Sequence, residues 1–311
     1  MQAYTISTTG ALTAVGSPVG LDAVPTAVVV SSNGSFAYIT LNRATVNVLA
    51  FTVNTATGTL TPVGGPPIDA GANPTAATVS PNRQFLFVTS SNGTVSSYTI
   101  NGATGALTSV GAVAAGTSPS GVDQGSNNVS AYAITAGTGA LTPLVGGLGN
   151  PFLAGTSPSG VTVSPNGSFL YVSNQGSNDV SAYAINGNGS LTEILGIQPS
   201  PYLVGASPSG VTVSPNGSFL YVSNQGPNKV SAYAINPGTG ALHSVGAAVD
   251  AGTAPSGITV EPNGQFVYVS NSGSGNVSGY QITAGSGVLV SLGAAFPAGT
   301  TPVGIATPGR P

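Results

Sequence analysis

Residues 156–186 read TSPSGVTVSPNGSFLYVSNQGSNDVSAYAIN, and residues 206–236 read ASPSGVTVSPNGSFLYVSNQGPNKVSAYAIN. These are near copies, and self-similarity at a fixed spacing is the signature of a repeat architecture. Weaker copies open on Pro25, Pro74, Pro119, Pro158, Pro208, Pro255 and Pro302, a period of roughly 47 residues with one short interval. Within the clearest copy, four segments carry the two-residue alternation and the β-branched and aromatic enrichment of strands. They are strand a (Gly160 to Ser164), b (Phe169 to Ser173), c (Val180 to Ile185) and d (Ser190 to Leu195). Asn166-Gly167, between a and b, supplies the positive φ of a tight hairpin, and it recurs as Asn33-Gly34, Asn216-Gly217 and Asn263-Gly264.

A four-stranded sheet of this kind cannot bury both faces alone, so neighbouring copies must stack around a ring. The expectation is an all-β chain forming one β-propeller domain over residues 1–311. It has seven blades, two of them incomplete, or six if a partial unit is expelled. Residues 2–16 read as strands c and d of the closing blade and Val303 to Thr307 as its strand a, while its strand b has no counterpart. In the third unit, Pro-Ser-Gly-Val122 runs straight into Asp123-Gln124-Gly125, omitting most of a and all of b.

Hydrophobic residues form 41% of the chain, enough for a large core, but charged residues only 4%, against about a quarter in an ordinary soluble protein. Four Lys and Arg with a net charge of −3 provide no basic stripe, which argues against nucleic acid and against anionic lipid as partners. No apolar run is long enough for a membrane span. Without cysteine there is no disulfide framework or thiolate chemistry. Residues 1–4 enter a repeat with no basic and apolar leader before them. The low charge suggests an extracytoplasmic setting: secreted, periplasmic or at the cell surface.

Three segments, V-x-x-S-P-N-G-x-F-x-Y-V-S-N (Val161 to Asn174), N-x-V-S-A-Y-x-I (Asn178 to Ile185) and T-G-x-L (Thr239 to Leu242), resemble the β-propeller lactonase family and related YVTN-type repeat proteins. The resemblance spans essentially the whole chain. It implies the propeller fold and, for the enzymatic branch, opening of 6-phosphogluconolactone or a related lactone by ionisable residues at the channel mouth.

Lactone opening needs a base for water and a donor or cation for the developing oxyanion. The one histidine, His243, falls in strand d, the outermost strand. Arg43 and Lys229 fall in b–c loops, Arg83 in an a–b turn and Arg310 in the tail. No position matches an ionisable catalytic set, so no catalytic residue, metal site or cofactor is assigned. The recurrent tyrosines, Tyr38, Tyr171, Tyr221 and Tyr268 in strand b and Tyr98, Tyr132, Tyr183, Tyr233 and Tyr280 in strand c, read as packing between blades because their period is that of the repeat.

One face nevertheless gathers most of the charge. Arg43, Asp123, Asp179 and Lys229 are placed in b–c loops and Asp22, Asp69 and Asp250 in d–a loops, which share a side of the ring; Arg83 and Glu261 lie in a–b turns on the other. The b–c loops also carry Asn174, Gln175, Asn178, Asn224, Gln225 and Asn228, whose amides suit neutral sugars or peptide backbones. The leading reading is a non-catalytic or weakly catalytic scaffold, monomeric, that binds a carbohydrate or a protein surface through this face. The alternative is a lactone hydrolase, a carboxylic ester hydrolase of the family's enzymatic branch. A third possibility is a repeat-expansion product without a selected activity.

Overall fold

The computed structural model describes residues 1–66, 68–144, 151–194 and 202–307. The chain is an all-β propeller, and among the described residues no helix is long and apolar enough to cross a membrane. Five sheets carry the order a-b-c-d with antiparallel neighbours. The fourth blade is representative: Pro158–Val163, Phe169–Asn174, Asp179–Ile185 and Leu191–Glu193. Strand b is buried along its whole length in four of the five blades, and all but one residue in the second, which is why it reads FLYVSN or FAYITL rather than alternating with polar residues.

The serine that ends strand a locks each hairpin. Ser164 Oγ accepts from the Phe169 N–H at 2.9 Å and donates to Asn166 Oδ1 at 2.6 Å. Ser31, Ser80 and Ser214 accept from Phe36, Phe85 and Phe219 in the same way. Glu261 replaces this serine in the sixth blade, and its carboxylate lies 3.2 Å from the Gln265 N–H. It lies in the a–b turn, as expected, and is 5% exposed there. Burial raises its pKa, partly countered by the Gln265 and Phe266 N–H groups.

Blade-to-blade contact is equally repetitive. A Cβ built on Gly240, at the c–d turn of the fifth blade, would fall 2.5 Å from Phe169 Cδ1 of the fourth; with φ at +73° only glycine fits. Beside it the Tyr171 hydroxyl donates to the Gly240 carbonyl at 2.8 Å. The tie recurs as Tyr38 to Gly105 at 3.0 Å, Tyr221 to Gly287 at 3.2 Å and Tyr268 to Gly10 at 2.8 Å. The inner strands are stitched by hydroxyls: Ser159, Ser209 and Ser256 donate to the carbonyls of Pro208, Pro255 and Pro302 at 2.9, 2.7 and 3.1 Å.

Tyr268–Gly10 and Ser256–Pro302 seat both chain ends against the sixth blade. The N-terminal hairpin pairs Ala3–Ile6 with Leu12–Val15, and the Tyr4 hydroxyl donates to the Pro297 carbonyl at 2.5 Å. Residues 303–307, expected as strand a, form no strand. In every complete blade strand a pairs with b, and among the described residues no strand b lies beside 303–307.

The outer strand also departs from expectation. In the fourth, fifth and sixth blades it is broken: Leu191–Glu193 pairs with the C-terminal half of c, and Tyr202–Leu203 with its N-terminal end. Leu195, expected at the end of d, lies outside the described residues. In the second blade d runs unbroken as Leu107–Ala114, with an irregularity between Ser109 and Gly111.

Candidate functional site

The b–c connections and the segments entering each opening proline interlock on one side of the ring. Gln175 and Gly176 donate their N–H groups to the carbonyls of Ser157 and Thr156, both at 2.9 Å. Asn178 and Asn228 adopt left-handed φ of 62° and 56° and turn their side-chain oxygens across to the next blade. There Oδ1 of Asn178 accepts from Ser207 N–H at 2.7 Å and that of Asn228 from Ala254 N–H at 2.9 Å. Asn127 makes the same bond to Ser157 at 2.7 Å. These asparagines are pins between blades, their acceptor atoms already engaged.

Several residues expected in solvated loops are elsewhere. Asn174 and Asn224 end strand b and are 0% and 1% exposed. Asn174 Nδ2 donates to Asp179 Oδ1 at 2.6 Å and Ser181 Oγ at 2.9 Å, and Asn224 Nδ2 reaches Ser231 Oγ at 3.0 Å. Asp179 and Lys229 are the first residues of strand c, paired across from those asparagines, and Asp179 is buried. Asp123 is buried too: having lost strand b, the third unit brings it to the place of Asn174, where it accepts from Gly116 N–H at 3.0 Å and from Ser130 Oγ at 2.5 Å. Asp250 belongs to the second piece of the outer strand, Val249–Asp250. For Asn174, Asp179, Asn224 and Lys229 the reason is shared: the b–c ladder runs one residue further at its end than turn-forming residue types suggest. The signal that could have shown it is the fixed spacing of seven between Asn174 and Ser181, Asn224 and Ser231, Asn271 and Ser278, and Asp123 and Ser130.

Two pairs of surface charges are mutually satisfied. Arg43 Nη1 meets Asp22 Oδ2 at 2.6 Å and holds that carboxyl below the ordinary range. Lys229 Nζ meets Asp250 Oδ1 at 2.5 Å. Asp69 is exposed, with Oδ1 accepting from Gly71 N–H at 3.0 Å. His243 is exposed on the outer strand opposite Ala234, and Arg310 lies outside the described residues. Gln175 and Gln225 of adjacent blades come together at 3.2 Å. Among the described residues no three His, Asp or Glu side chains converge as a metal site would require. The face therefore offers amides, backbone groups, two ion pairs and the exposed carboxylate of Asp69.

The family profile described as "Lactonase, 7-bladed beta-propeller" matches residues 2–123 and 122–305. The chain belongs to that family. Among solved structures, this lactonase-family propeller is similar to a Bacteroides uniformis protein provisionally named a 6-phosphogluconolactonase, at 20% identity and TM-score 0.79, covering 95% of this chain and 91% of that one. It is similar also to the Pseudomonas aeruginosa periplasmic gluconolactonase PpgL, at 20% identity and TM-score 0.76, covering 96% and 92%. A Lactobacillus plantarum protein matches at 23% identity and TM-score 0.75, covering 97% and 93%. At such identities the likeness is one of fold. Comparison with curated protein sequences gives no match.

Proposed function

We propose that this lactonase-family propeller acts on a neutral sugar lactone at the face formed by the b–c connections and the segments entering each blade. The carrying observation is the family match across nearly the whole chain. The face favours an uncharged substrate over a phosphorylated one, because Arg43 and Lys229 are both held in ion pairs with neighbouring aspartates, whereas a phosphate group calls for free cationic donors. Gln175 and Gln225 are amide groups of the kind that bind polyol hydroxyls. The low charge of the chain and the periplasmic gluconolactonase among its structural relatives support an extracytoplasmic setting. Acid release from glucono-δ-lactone and from its 6-phospho form, followed in a pH-stat against the spontaneous rate, tests the reading. Turnover of the neutral lactone that falls on Asp69→Asn or Gln175→Ala supports it, and a rate equal to the uncatalysed one for both lactones overturns it.

A second reading, a binding scaffold without turnover, is favoured by one observation. The carboxylates of Asp123 and Asp179 are buried and hydrogen-bonded and are not aimed at solvent. Calorimetric binding of a neutral oligosaccharide with no lactone turnover would distinguish it.

A further inference from the structure

Asn-Gly occurs eight times in the chain. In that pair the glycine has no Cβ to shield its own nitrogen from the asparagine carbonyl carbon just before it, so the nitrogen can attack and expel ammonia. Whether it does so in a folded protein depends on what holds the two groups.

Six of the pairs are held on both sides. The N–H groups of Gly34, Gly167, Gly217 and Gly264 donate to the carbonyl three residues back at 2.7 to 2.9 Å, and those of Gly93 and Gly189 close their own turns at 3.0 and 2.8 Å. The asparagine before each glycine is engaged through Oδ1 as well. Asn166 Oδ1, for instance, accepts from Ser164 Oγ at 2.6 Å and from Ser168 N–H at 3.1 Å.

The remaining two pairs open c–d turns, on the side of the ring opposite the b–c connections. In the second blade Asn101 N–H closes the turn on Ala106 at 2.9 Å, and Asn101 Oδ1 accepts from the N–H groups of Ala103 and Thr104 at 3.0 and 3.1 Å. Asn54 and Asn236 cap the first and fifth blades' turns in the same way. The fourth blade's turn is one residue shorter: Asn186 N–H closes it on Ser190, at 2.9 Å. Here the side chain takes another course, with Nδ2 donating to Ser190 Oγ at 2.9 Å and to Thr192 Oγ1 at 3.0 Å. Among the described residues nothing donates to Asn186 Oδ1, and Gly187 N–H donates to nothing. Both residues are exposed, and no atom lies within 4 Å of where a Cβ of Gly187 would be, so the ring has room to close.

We propose that Asn186 is a site of spontaneous modification, converting to aspartate and isoaspartate ahead of every other Asn-Gly pair in the folded protein. Gly187 N gives its proton to solvent base and bonds to Asn186 Cγ. The Cγ–Nδ2 bond breaks, and Nδ2 takes a proton from water and leaves as ammonia. Water then opens the five-membered imide at either of its C–N bonds, leaving a carboxylate at 186 and no change of oxidation state. A chain of net charge −3 gains one more negative charge, and the isoaspartyl product lengthens by one backbone carbon the turn that is one residue short.

The test ages the unaltered protein in mildly alkaline buffer made with oxygen-18 water. Digestion with pepsin in acid, where ring closure is suppressed, is followed by tandem mass spectrometry of each pair. Fragmentation of a peptide spanning residues 184–191 separates Asn186 from Asn188. Asn186 should exchange its NH2 for labelled OH at least about tenfold faster than any of the six held pairs, with Asn101 between them. In urea-unfolded protein the order should vanish, all the pairs reacting at similar rates. A hairpin pair reacting as fast as Asn186 in the folded protein, Asn101 overtaking it, or the same ranking in urea would each overturn the proposal.

Discussion

Removing the Tyr268 hydroxyl tests whether the ring is closed through the N-terminal hairpin. The phenol is 1% exposed and donates at 2.8 Å to the carbonyl of Gly10, 258 residues away in sequence. Tyr268→Phe keeps the ring and its packing, so no cavity is created; what is lost is the bond, leaving a carbonyl at the blade interface without that donor. That costs about 1 to 2 kcal/mol. With an unfolding entropy of about 0.6 kcal/mol/K for a 311-residue chain, this becomes a fall in Tm of about 2 to 3 °C. Tyr171→Phe, which removes the same tie between two complete blades, should cost the same, and Tyr4→Phe, an exposed bond, less than about 0.5 kcal/mol. Urea and thermal denaturation of the three variants measure this directly. If Tyr171→Phe is destabilising and Tyr268→Phe is neutral, the hairpin is not seated on the sixth blade in solution, and the argument for closure fails.

Other expectations follow from the same repeat geometry. Gly240→Ala must place a methyl against Phe169 at a φ of +73°, costing about 2 to 4 kcal/mol in chemical denaturation. Lys229→Ala removes an ion pair whose side chains are 38% and 88% exposed, so its effect should stay under about 0.5 kcal/mol and vanish in high salt. Glu261→Ser restores the hairpin serine and should stabilise the protein at neutral pH. The raised pKa of Glu261 means its favourable protonation is present below the ordinary carboxylate range and lost as pH rises through the shifted value, and the variant should abolish that slope. Burial pushes Tyr183 and Tyr280 up to about 12, so stability should fall as pH climbs from about 10 towards that value, as each unfolded phenol ionises first. Urea midpoints as a function of pH check both.

The strands were legible because their period is local: Phe169 to Ser173 and Val180 to Ile185 were read to within one residue of the observed ends. What sequence reasoning missed lies at the ladder ends, where Asn174 and Asp179 look like turn residues and are in fact a buried cross-strand pair. An amide at a strand end can face solvent or the neighbouring sheet, and one copy cannot say which. Three copies, Asn174, Asn224 and Asn271, each with a serine seven residues on, decide for the interior, because position 174 and position 181 lie on facing strands of one hairpin. The split of the outer strand was hidden for another reason: it depends on residues following d that differ among blades in length and composition. Function was less legible still, since Arg43 and Lys229 become uninformative once paired with Asp22 and Asp250.

Among the described residues two blades show no strand b, and covalent connectivity sets how each is arranged. In the third unit the missing residues lie inside one continuous segment, so Val122 and Asp123 are joined directly to the turn before strand c. The chain itself draws the remnants of a and c together: Asp123 bridges Asn128, and Val122 enters the core with Val129, Phe152 and Leu170. In the closing blade, a and c belong to opposite ends of the chain, and no peptide bond pulls one toward the other. Each is fixed independently by its neighbours, 302–307 by the sixth blade's serine and threonine hydroxyls and 3–6 by Leu12–Val15 and Tyr268. The spacing set by the ring therefore persists across the gap. Its walls are covered from within the chain: Ala37 and Ile39, 3% and 1% exposed, are packed by Met1, Val19 and Leu21, and Tyr268 and Val277, 1% and 4% exposed, by Leu12 and Ile305.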